Sequence, residues 1–178
     1  MRQSILRYFI SLLLVSLCIC SATSIFIISG SMKEDSEREM MYSVKLIEYN
    51  LDYSKDLNTQ IETLNPLAFS DDTRISVIDE KGKVLADTYK KDISSNHLKR
   101  EEVQQALHSS NHEGYAMRRS ETTNQPLLYA AYYKDNHIIR LSIPYSGVWG
   151  YFPELAPAFS ISIPVSYTHL RAHETLSD

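Results

Sequence analysis

A long uncharged segment near the N-terminus constrains this chain more than any other feature. No Asp, Glu, Lys, Arg or His occurs from Tyr8 to Met32, and Phe9 to Ile28 consists mainly of Leu, Ile, Val, Phe and small residues. About 20 apolar residues, each rising about 1.5 Å along a helix, cross a hydrocarbon core of about 30 Å. The segment therefore predicts a transmembrane helix.

The flanking residues predict the orientation of this helix. Arg2 and Arg7 precede it, whereas Lys33 and several acidic residues come after it. Because Lys and Arg are retained in the cytoplasm, we expect a cytoplasmic N-terminus and an extracytoplasmic location for the residues after the helix. The alternative is a cleaved signal peptide, whose apolar region is only about 7–15 residues long. Ser21 to Thr23 imitates a cleavage site, but the apolar run continues to Ile28, which favours an uncleaved signal anchor.

The remainder of the 178-residue chain has room for one modest domain. A domain of roughly 110 residues can bury its own core. The net charge of −4 argues against a nucleic-acid partner, which requires a clustered basic face. Cys18 and Cys20 both lie in the apolar segment and point to different sides of a helix, so no disulfide is expected.

A helical pattern comes after the predicted span. Apolar residues recur at spacings near 3.6, and no Gly or Pro occurs between Met32 and Asn65. This pattern predicts a long amphipathic helix that packs on the following domain and ends at Asn65-Pro66. The apolar residues are Met40, Met41, Val44, Leu46, Ile47, Leu51 and Leu57.

From Arg74 onward the period becomes that of strands. Arg74–Asp79 and Val84–Asp87 flank a tight turn and predict a hairpin, and Glu101–Leu107 predicts a short helix. Three further strands are predicted at Gly114–Arg119, Leu127–Tyr133 and Ile138–Ile143. The expected fold class is therefore α+β, with an antiparallel sheet of about five strands and helices packed on it.

The residues from Arg74 to Asp87 resemble the opening hairpin of extracytoplasmic PAS-like, or single Cache, sensor domains. The later segments are similar to the sensor region of phosphate-regulon-type histidine kinases of Gram-positive bacteria, and the resemblance covers about Arg2 to Ile163. These segments are Asn96–Leu98, Glu101–Leu107, Gly114–Tyr115, Leu128–Ala131 and Ile139–Pro144.

The resemblance implies a sensory input region of a homodimeric membrane kinase. In that family a second span comes after the sensor, then usually a HAMP or PAS module, a dimerisation helix with the phosphorylated histidine, and an ATP-binding domain. It implies ATP and Mg as cofactors of the kinase, none in this chain, and a cytoplasmic response regulator as partner. The alternatives are the input region of a chemotaxis receptor or cyclic-dinucleotide enzyme, or a membrane-tethered binding protein.

These assignments divide the chain into four parts. Residues 1–32 form the cytoplasmic stub and signal anchor, and residues 33–149 form the sensor domain. Residues 150–164 are similar to the start of the family's second span, which stops short of spanning length. Residues 165–178 resemble the translation of a sequencing adapter, so we expect a truncated chain with a non-native tail.

No catalytic or metal-binding motif is predicted. His169 and His173 have a metal-ligand spacing but lie in the expected non-native tail, and His108 and His112 flank residues that favour a loop. His97 is expected at a turn or sheet edge. The carboxylates Asp71, Asp72, Asp79 and Asp87 occupy positions typical of turns, so solvated or capping roles are expected.

The remaining candidates are ligand contacts. The resemblance implies that a small anion or metabolite binds on the concave face of the sheet, and Arg118, Tyr129 and Arg140 lie on strands that would line it. Arg118 and Arg119 must point to opposite faces because side chains alternate along a strand. The competing interpretation is that these basic residues lie on a solvent-exposed face.

Overall fold

A computed structural model describes residues 2–68, 72–89, 96–120, 124–151 and 153 of this chain. Its first element is a helix, α1 (Arg2–Asn50), which contains both the apolar segment and the start of the amphipathic one. Residues 30–145 form a compact α+β unit, and the first part of α1 belongs to a separate unit.

The first part of α1 is long and apolar enough to cross a membrane. Its most apolar window has a mean hydropathy of 2.4, and none of that window is buried by the rest of the protein. Large apolar side chains are exposed throughout, such as Leu12 and Phe26. An uncovered hydrocarbon surface of this size is compatible with a lipid environment rather than with water.

Among the described residues, the hairpin, the short helix and the three further strands come after α1 in the predicted order. Two helices come after it, α2 (Leu57–Leu64) and α3 (Glu101–His108), with short 3-10 helices at Asn65–Leu67 and Gly147–Tyr151. The strands are β1 (Arg74–Asp79), β2 (Val84–Asp87), β3 (Glu113–Arg119), β4 (Pro126–Lys134) and β5 (His137–Pro144).

The five strands form one antiparallel sheet in the order β2-β1-β5-β4-β3. Residue pairs such as Ile75–Leu141 and Ala130–Leu141 fix the register, so that side chains from neighbouring strands share a face. The register shifts once, between Val77 and Ile78, where β2 pairs with β1.

One face of the sheet packs against α1 and α2. Met40, Val44 and Ile47 of α1 and Ile61 of α2 are fully buried there. Side-chain alternation along the strands predicts that seven residues share this face. Most of them are buried in one cluster, and the remaining one, Leu85, packs against that cluster while partly exposed. The buried residues are Ile75, Val77, Leu128, Ala130, Leu141 and Ile143.

The amphipathic helix is shorter than predicted. α1 ends at Asn50, and α2 begins only at Leu57. Between them, the Asp52 carboxylate accepts hydrogen bonds from the backbone N and hydroxyl of Ser54. Asp56 then caps α2 by accepting from the backbone N of Thr59 at 3.0 Å. These short aspartate side chains compete with the helix for backbone donors, which explains why the helix is interrupted although the apolar pattern continues.

Candidate functional site

Arg118, Tyr129 and Arg140 come together on the face of the sheet that packs against α3. Strand register puts Tyr129 opposite Ala116 of β3 and Ser142 of β5, between the two arginines. The Arg118 guanidinium lies 3.6 Å from the centre of the Tyr129 ring, and that of Arg140 lies 5.6 Å from it. Arg119 is exposed on the other side, as alternation predicts, and donates to the carbonyl of Asn124.

The two arginines converge on a carboxylate that the sequence did not indicate as functional. Glu102 of α3 is fully buried. Arg118 binds it in bidentate fashion, with Nη1 2.5 Å from Oε2 and Nη2 2.9 Å from Oε1. Arg140 Nη1 lies 3.5 Å from Oε1. The predicted ligand-contact side chains therefore surround an anion that the protein supplies itself.

Local sequence explains why Glu102 reaches this position. Glu102, Val103 and Ala106 are the buried residues of α3, one face of a short helix. Gly114 at the start of β3 lies against the α3 backbone, and a Cβ at this position would overlap the carbonyl oxygen of Glu102 and the amide nitrogen of Ala106. Glycine thus allows the helix to approach the sheet closely enough for Glu102 to contact Arg118.

Glu102 and Arg118 compensate each other's charge, whereas the charge of Arg140 is compensated less completely. Burial alone would raise the pKa of Glu102, but the hydrogen bonds and charge of Arg118 outweigh it and lower the pKa. Burial likewise disfavours the charged form of Arg118, but Glu102 raises its pKa overall. Both groups are therefore charged at neutral pH.

Arg140 is the less well compensated guanidinium. Only 3% of the residue is exposed. Its Nη2 donates to Ser76 Oγ at 3.1 Å, and its Nε has no hydrogen-bond partner among the described residues. Burial lowers the pKa of Arg140 to about 10, with Glu102 offsetting part of that effect and Arg74 adding to it.

A second ion pair lies beside this cluster. Arg74 Nη2 is 2.7 Å from Asp87 Oδ2, and Ser76 donates to the same oxygen. Asp87 has the expected turn role, because its Oδ1 accepts from the backbone N of Tyr89 at 2.9 Å. It is not solvated, since its residue is only 7% exposed and its carboxylate also binds a guanidinium. Asp79 does occupy a turn, where it accepts from the backbone N of Lys81 and Lys83.

His97 is buried next to these charges. Its backbone N donates to the carbonyl of Gly82, at the edge position that the sequence predicts. Burial, and then the charges of Arg140, Arg100 and Arg74, lower the pKa of His97 to about 4. The imidazole is therefore neutral at pH 7. Among the described residues, three guanidinium groups (Arg74, Arg118, Arg140) face two carboxylates (Asp87, Glu102).

A separate cavity of about 320 Å³ lies on the α1 side of the sheet, away from this charged cluster. Its wall combines acidic, basic and tyrosine side chains from α1 and β3. The lining residues are Glu34, Glu37, Arg38, Met41, Tyr42, Lys45, Glu113 and Tyr115. Lys45 and Glu113 pair across it at 2.6 Å.

The histidine pairs do not form a metal site in the described part of the chain. His108 ends α3 and contacts the carbonyl of Gln104, whereas His112 adopts a positive φ of 59° and packs against Tyr133. No three His, Cys, Asp or Glu side chains of the described residues lie together in a geometry that could hold a metal. His169 and His173, Asp71, the predicted tail 165–178 and most of the predicted second span lie outside the described residues.

Comparison with known proteins adds structural neighbours only. No protein-family model and no curated protein matches this chain. The Bacillus subtilis YkuI protein, with an EAL domain and in complex with substrate c-di-GMP and calcium, has a TM-score of 0.51 and 18% identity over 72% of this chain and 36% of its own. A Vibrio parahaemolyticus methyl-accepting chemotaxis protein has a TM-score of 0.48 and 18% identity over 69% of this chain and 97% of its own. The isoleucine-bound sensory domain of the Campylobacter jejuni chemoreceptor Tlp3 has a TM-score of 0.48 and 16% identity, covering 67% and 56%.

At 18% identity, the likeness to YkuI concerns the fold alone, and this chain spans about a third of that protein. The predicted fold class is confirmed: an apolar N-terminal helix continues into an α+β domain with a five-stranded antiparallel sheet and helices packed on it.

Proposed function

We propose that this chain is the sensory input region of a membrane-bound sensor histidine kinase of the phosphate-regulon type. Its N-terminus is cytoplasmic, its first helix part is surrounded by lipid, and its α+β domain is an extracytoplasmic sensor of the PAS/Cache-like kind. It acts without catalysis of its own, as a homodimer. The kinase core that uses ATP and Mg and phosphorylates a response regulator lies beyond this chain. No nucleic acid takes part.

The continuity of α1 is the observation that best supports this proposal. One uninterrupted helix contains an apolar segment of spanning length and the residues Met40, Val44 and Ile47, which are fully buried in the domain core. We expect a signal that changes the domain to reach the membrane along this helix.

The exposed side of α1 supports the homodimer. Tyr42, Leu46 and Tyr49 are 69%, 46% and 81% exposed and recur with the spacing of a coiled-coil seam. Two copies anchored in one membrane present this stripe in parallel. The ligand contacts proposed for the sensor are Arg118, Tyr129 and Arg140. The guanidinium groups suit an anionic ligand, and the Tyr129 ring supports them through cation–π contacts.

Reporter fusions test the topology. We expect fusions at Asn50 and Gly147 to be active with an extracytoplasmic reporter and inactive with a cytoplasmic one. Cytoplasmic reporter activity at both positions would contradict the proposal.

A helix insertion tests the signalling route. In the intact receptor, a Gly-Gly insertion near Ser36 interrupts α1 between its apolar segment and its core residues, because glycine is costly in a helix. We expect the response to the stimulus to be lost while the domain stays folded. An Ala-Ala insertion is the control, because it changes the helix phase by the same two residues without adding flexibility. A normal response with Gly-Gly inserted would exclude signalling through α1.

A second candidate function is the input region of a cyclic-dinucleotide enzyme, favoured by the likeness in fold to YkuI, which has an EAL domain. The two functions differ in their output domain. The gene sequence beyond Ile163 decides between them, because a kinase requires a histidine-bearing dimerisation helix and an ATP-binding domain.

A further inference from the structure

We propose that the charged cluster on the α3 face is a binding site for the carboxylate of a small external ligand, and that Glu102 is its intramolecular competitor. The ligand carboxylate would take the position between Arg118 and Arg140 that the Glu102 carboxylate occupies in this conformation. This inference rests on the proposed function, because an external ligand is expected of a sensor.

The first argument is the incomplete compensation of Arg140. Burial of a guanidinium without partners for its N–H donors is costly, and a buried unsatisfied donor in a native protein requires an explanation. Arg140 is 3% exposed, its Nε is unpaired among the described residues, and its closest approach to a carboxylate is 3.5 Å. A second oxyanion, or one placed more centrally than Glu102, would satisfy these donors.

The second argument is geometric. The Tyr129 ring is 7% exposed, and its centre lies 3.6 Å from the Arg118 guanidinium and 5.6 Å from that of Arg140, so both groups lie on one aromatic side chain. Together they form an anion site of the planar, bidentate type that arginines provide for carboxylates.

The third argument is the position of Glu102 on a short element. α3 comprises Glu101–His108 only. Its buried apolar residues are Val103 and Ala106, in a small cluster with Ile78, Val84, Ala131 and Ile138, and Leu107 packs against that cluster while partly exposed. A helix with so few buried apolar residues is a weak anchor for the Glu102 carboxylate, which a competing carboxylate can therefore displace.

Replacement of Glu102 by Ala tests whether the site accepts a free carboxylate. The substitution removes one methylene and the carboxylate, which together have the size of acetate. In the full chain in detergent micelles, we expect Glu102→Ala to melt at a lower temperature in sodium chloride. Sodium acetate at the same pH and ionic strength should recover at least half of that loss, because a ligand that binds only the folded state stabilises it.

Matched variants establish that the recovery comes from this site. Val103→Ala leaves an apolar space on the next residue and should not respond to acetate. Glu102→Gln keeps the volume but replaces the competing carboxylate by a neutral amide, so its response should lie between those of the wild type and Glu102→Ala. The double variant Glu102→Ala/Arg140→Met should lose the response. The wild type should bind acetate more weakly than Glu102→Ala, because its own carboxylate competes.

Two results would overturn the inference: an acetate effect on Glu102→Ala no larger than that on Val103→Ala, or a Glu102→Ala chain that folds in neither salt. The reporter fusions do not depend on anion binding. A failed acetate recovery with correct topology therefore rejects the site alone, whereas failed topology with acetate recovery rejects the proposed function alone.

Discussion

The face of the sheet that packs against α1 and the face that packs against α3 are both buried, yet they differ in chemistry. On the α1 face the buried residues are mainly apolar, with Met40, Val44 and Ile47 meeting the alternate residues of four strands, and the buried Glu48 pairs with Lys134. On the α3 face a smaller apolar cluster adjoins four buried polar residues, each at most 7% exposed: Glu102, Arg140, Asp87 and His97.

This difference separates stability from function. Apolar burial is favourable by about 25 cal/mol per Å² and needs no further explanation. Buried ion pairs do not generally stabilise a fold, since the cost of desolvation often exceeds the attraction between the charges. We infer that apolar burial on the α1 face contributes most to the stability of the domain, whereas the α3 face contains the proposed ligand site.

The largest expected effect is on the α1 face. Leu141→Ala should lower the free energy of unfolding by roughly 2–5 kcal/mol, because it removes buried methyl groups and leaves a cavity. Urea unfolding of the full chain in micelles, followed by near-ultraviolet circular dichroism, measures this. Leu67→Ala is the matched control, since Leu67 is 42% exposed. A loss below about 0.5 kcal/mol at Leu141 would show that the register is wrong.

The next largest effect is on the α3 face. Arg118→Met should cost roughly 2–3 kcal/mol, because it removes both close partners of a fully buried carboxylate and leaves only the longer contact from Arg140. Arg119→Met, on the adjacent position and exposed, should change stability by less than about 0.5 kcal/mol. Equal effects in the two variants would mean that Glu102 is not held by Arg118.

These two faces also differ in how far the sequence predicts them. Strand alternation identified the α1 face because β-branched and leucine residues repeat with period two in β1, β4 and β5, and that period reports burial directly. The same alternation showed that Arg118 and Arg119 diverge. The order of the strands in the sheet could not be predicted from periodicity, because every antiparallel strand order has the same local pattern.

The α3 face was predicted only in part. Arg118, Tyr129 and Arg140 were selected for their strands, and the structure brings them together. Glu102 was missed because an acidic residue in the first turn of a helix ordinarily interacts with the helix dipole and solvent. The one available signal was Gly114, whose missing side chain allows α3 to approach β3. The ion pair of Asp87 was missed because the sequence gives no sign that its partner is Arg74.

A smaller effect is expected from pH. The pKa of His97 is about 4 in the folded protein, below its ordinary value of 6.5, so the unfolded chain binds more protons between these values. Stability is therefore complete above pH 6.5 and declines as the pH falls towards 4, by roughly 2–3 kcal/mol. The groups that oppose protonation are Arg140, Arg100 and Arg74, while Asp87 favours it.

His97→Gln should remove most of this pH dependence, and His108→Gln, an exposed histidine, should preserve it. Urea midpoints measured at intervals from pH 7 to pH 4 provide the comparison. If wild type and His97→Gln lose stability in parallel, burial and the neighbouring arginines do not hold the imidazole neutral.

The smallest expected effect is the most informative about the two faces. Arg140→Met replaces a buried guanidinium with an apolar side chain of similar length. Glu102 keeps its bidentate contact with Arg118, and Ser76 keeps its hydrogen bond to Asp87, so no buried partner is left unsatisfied. Because such replacements of buried charge are often neutral or stabilising, we expect a change within about 1 kcal/mol in either direction. A loss as large as that of Leu141→Ala would make Arg140 a structural residue and would end the distinction between a stabilising face and an interacting one. A near-neutral change, combined with loss of the acetate response in the Glu102→Ala background, would mean that the protein retains a buried charge that its fold does not require.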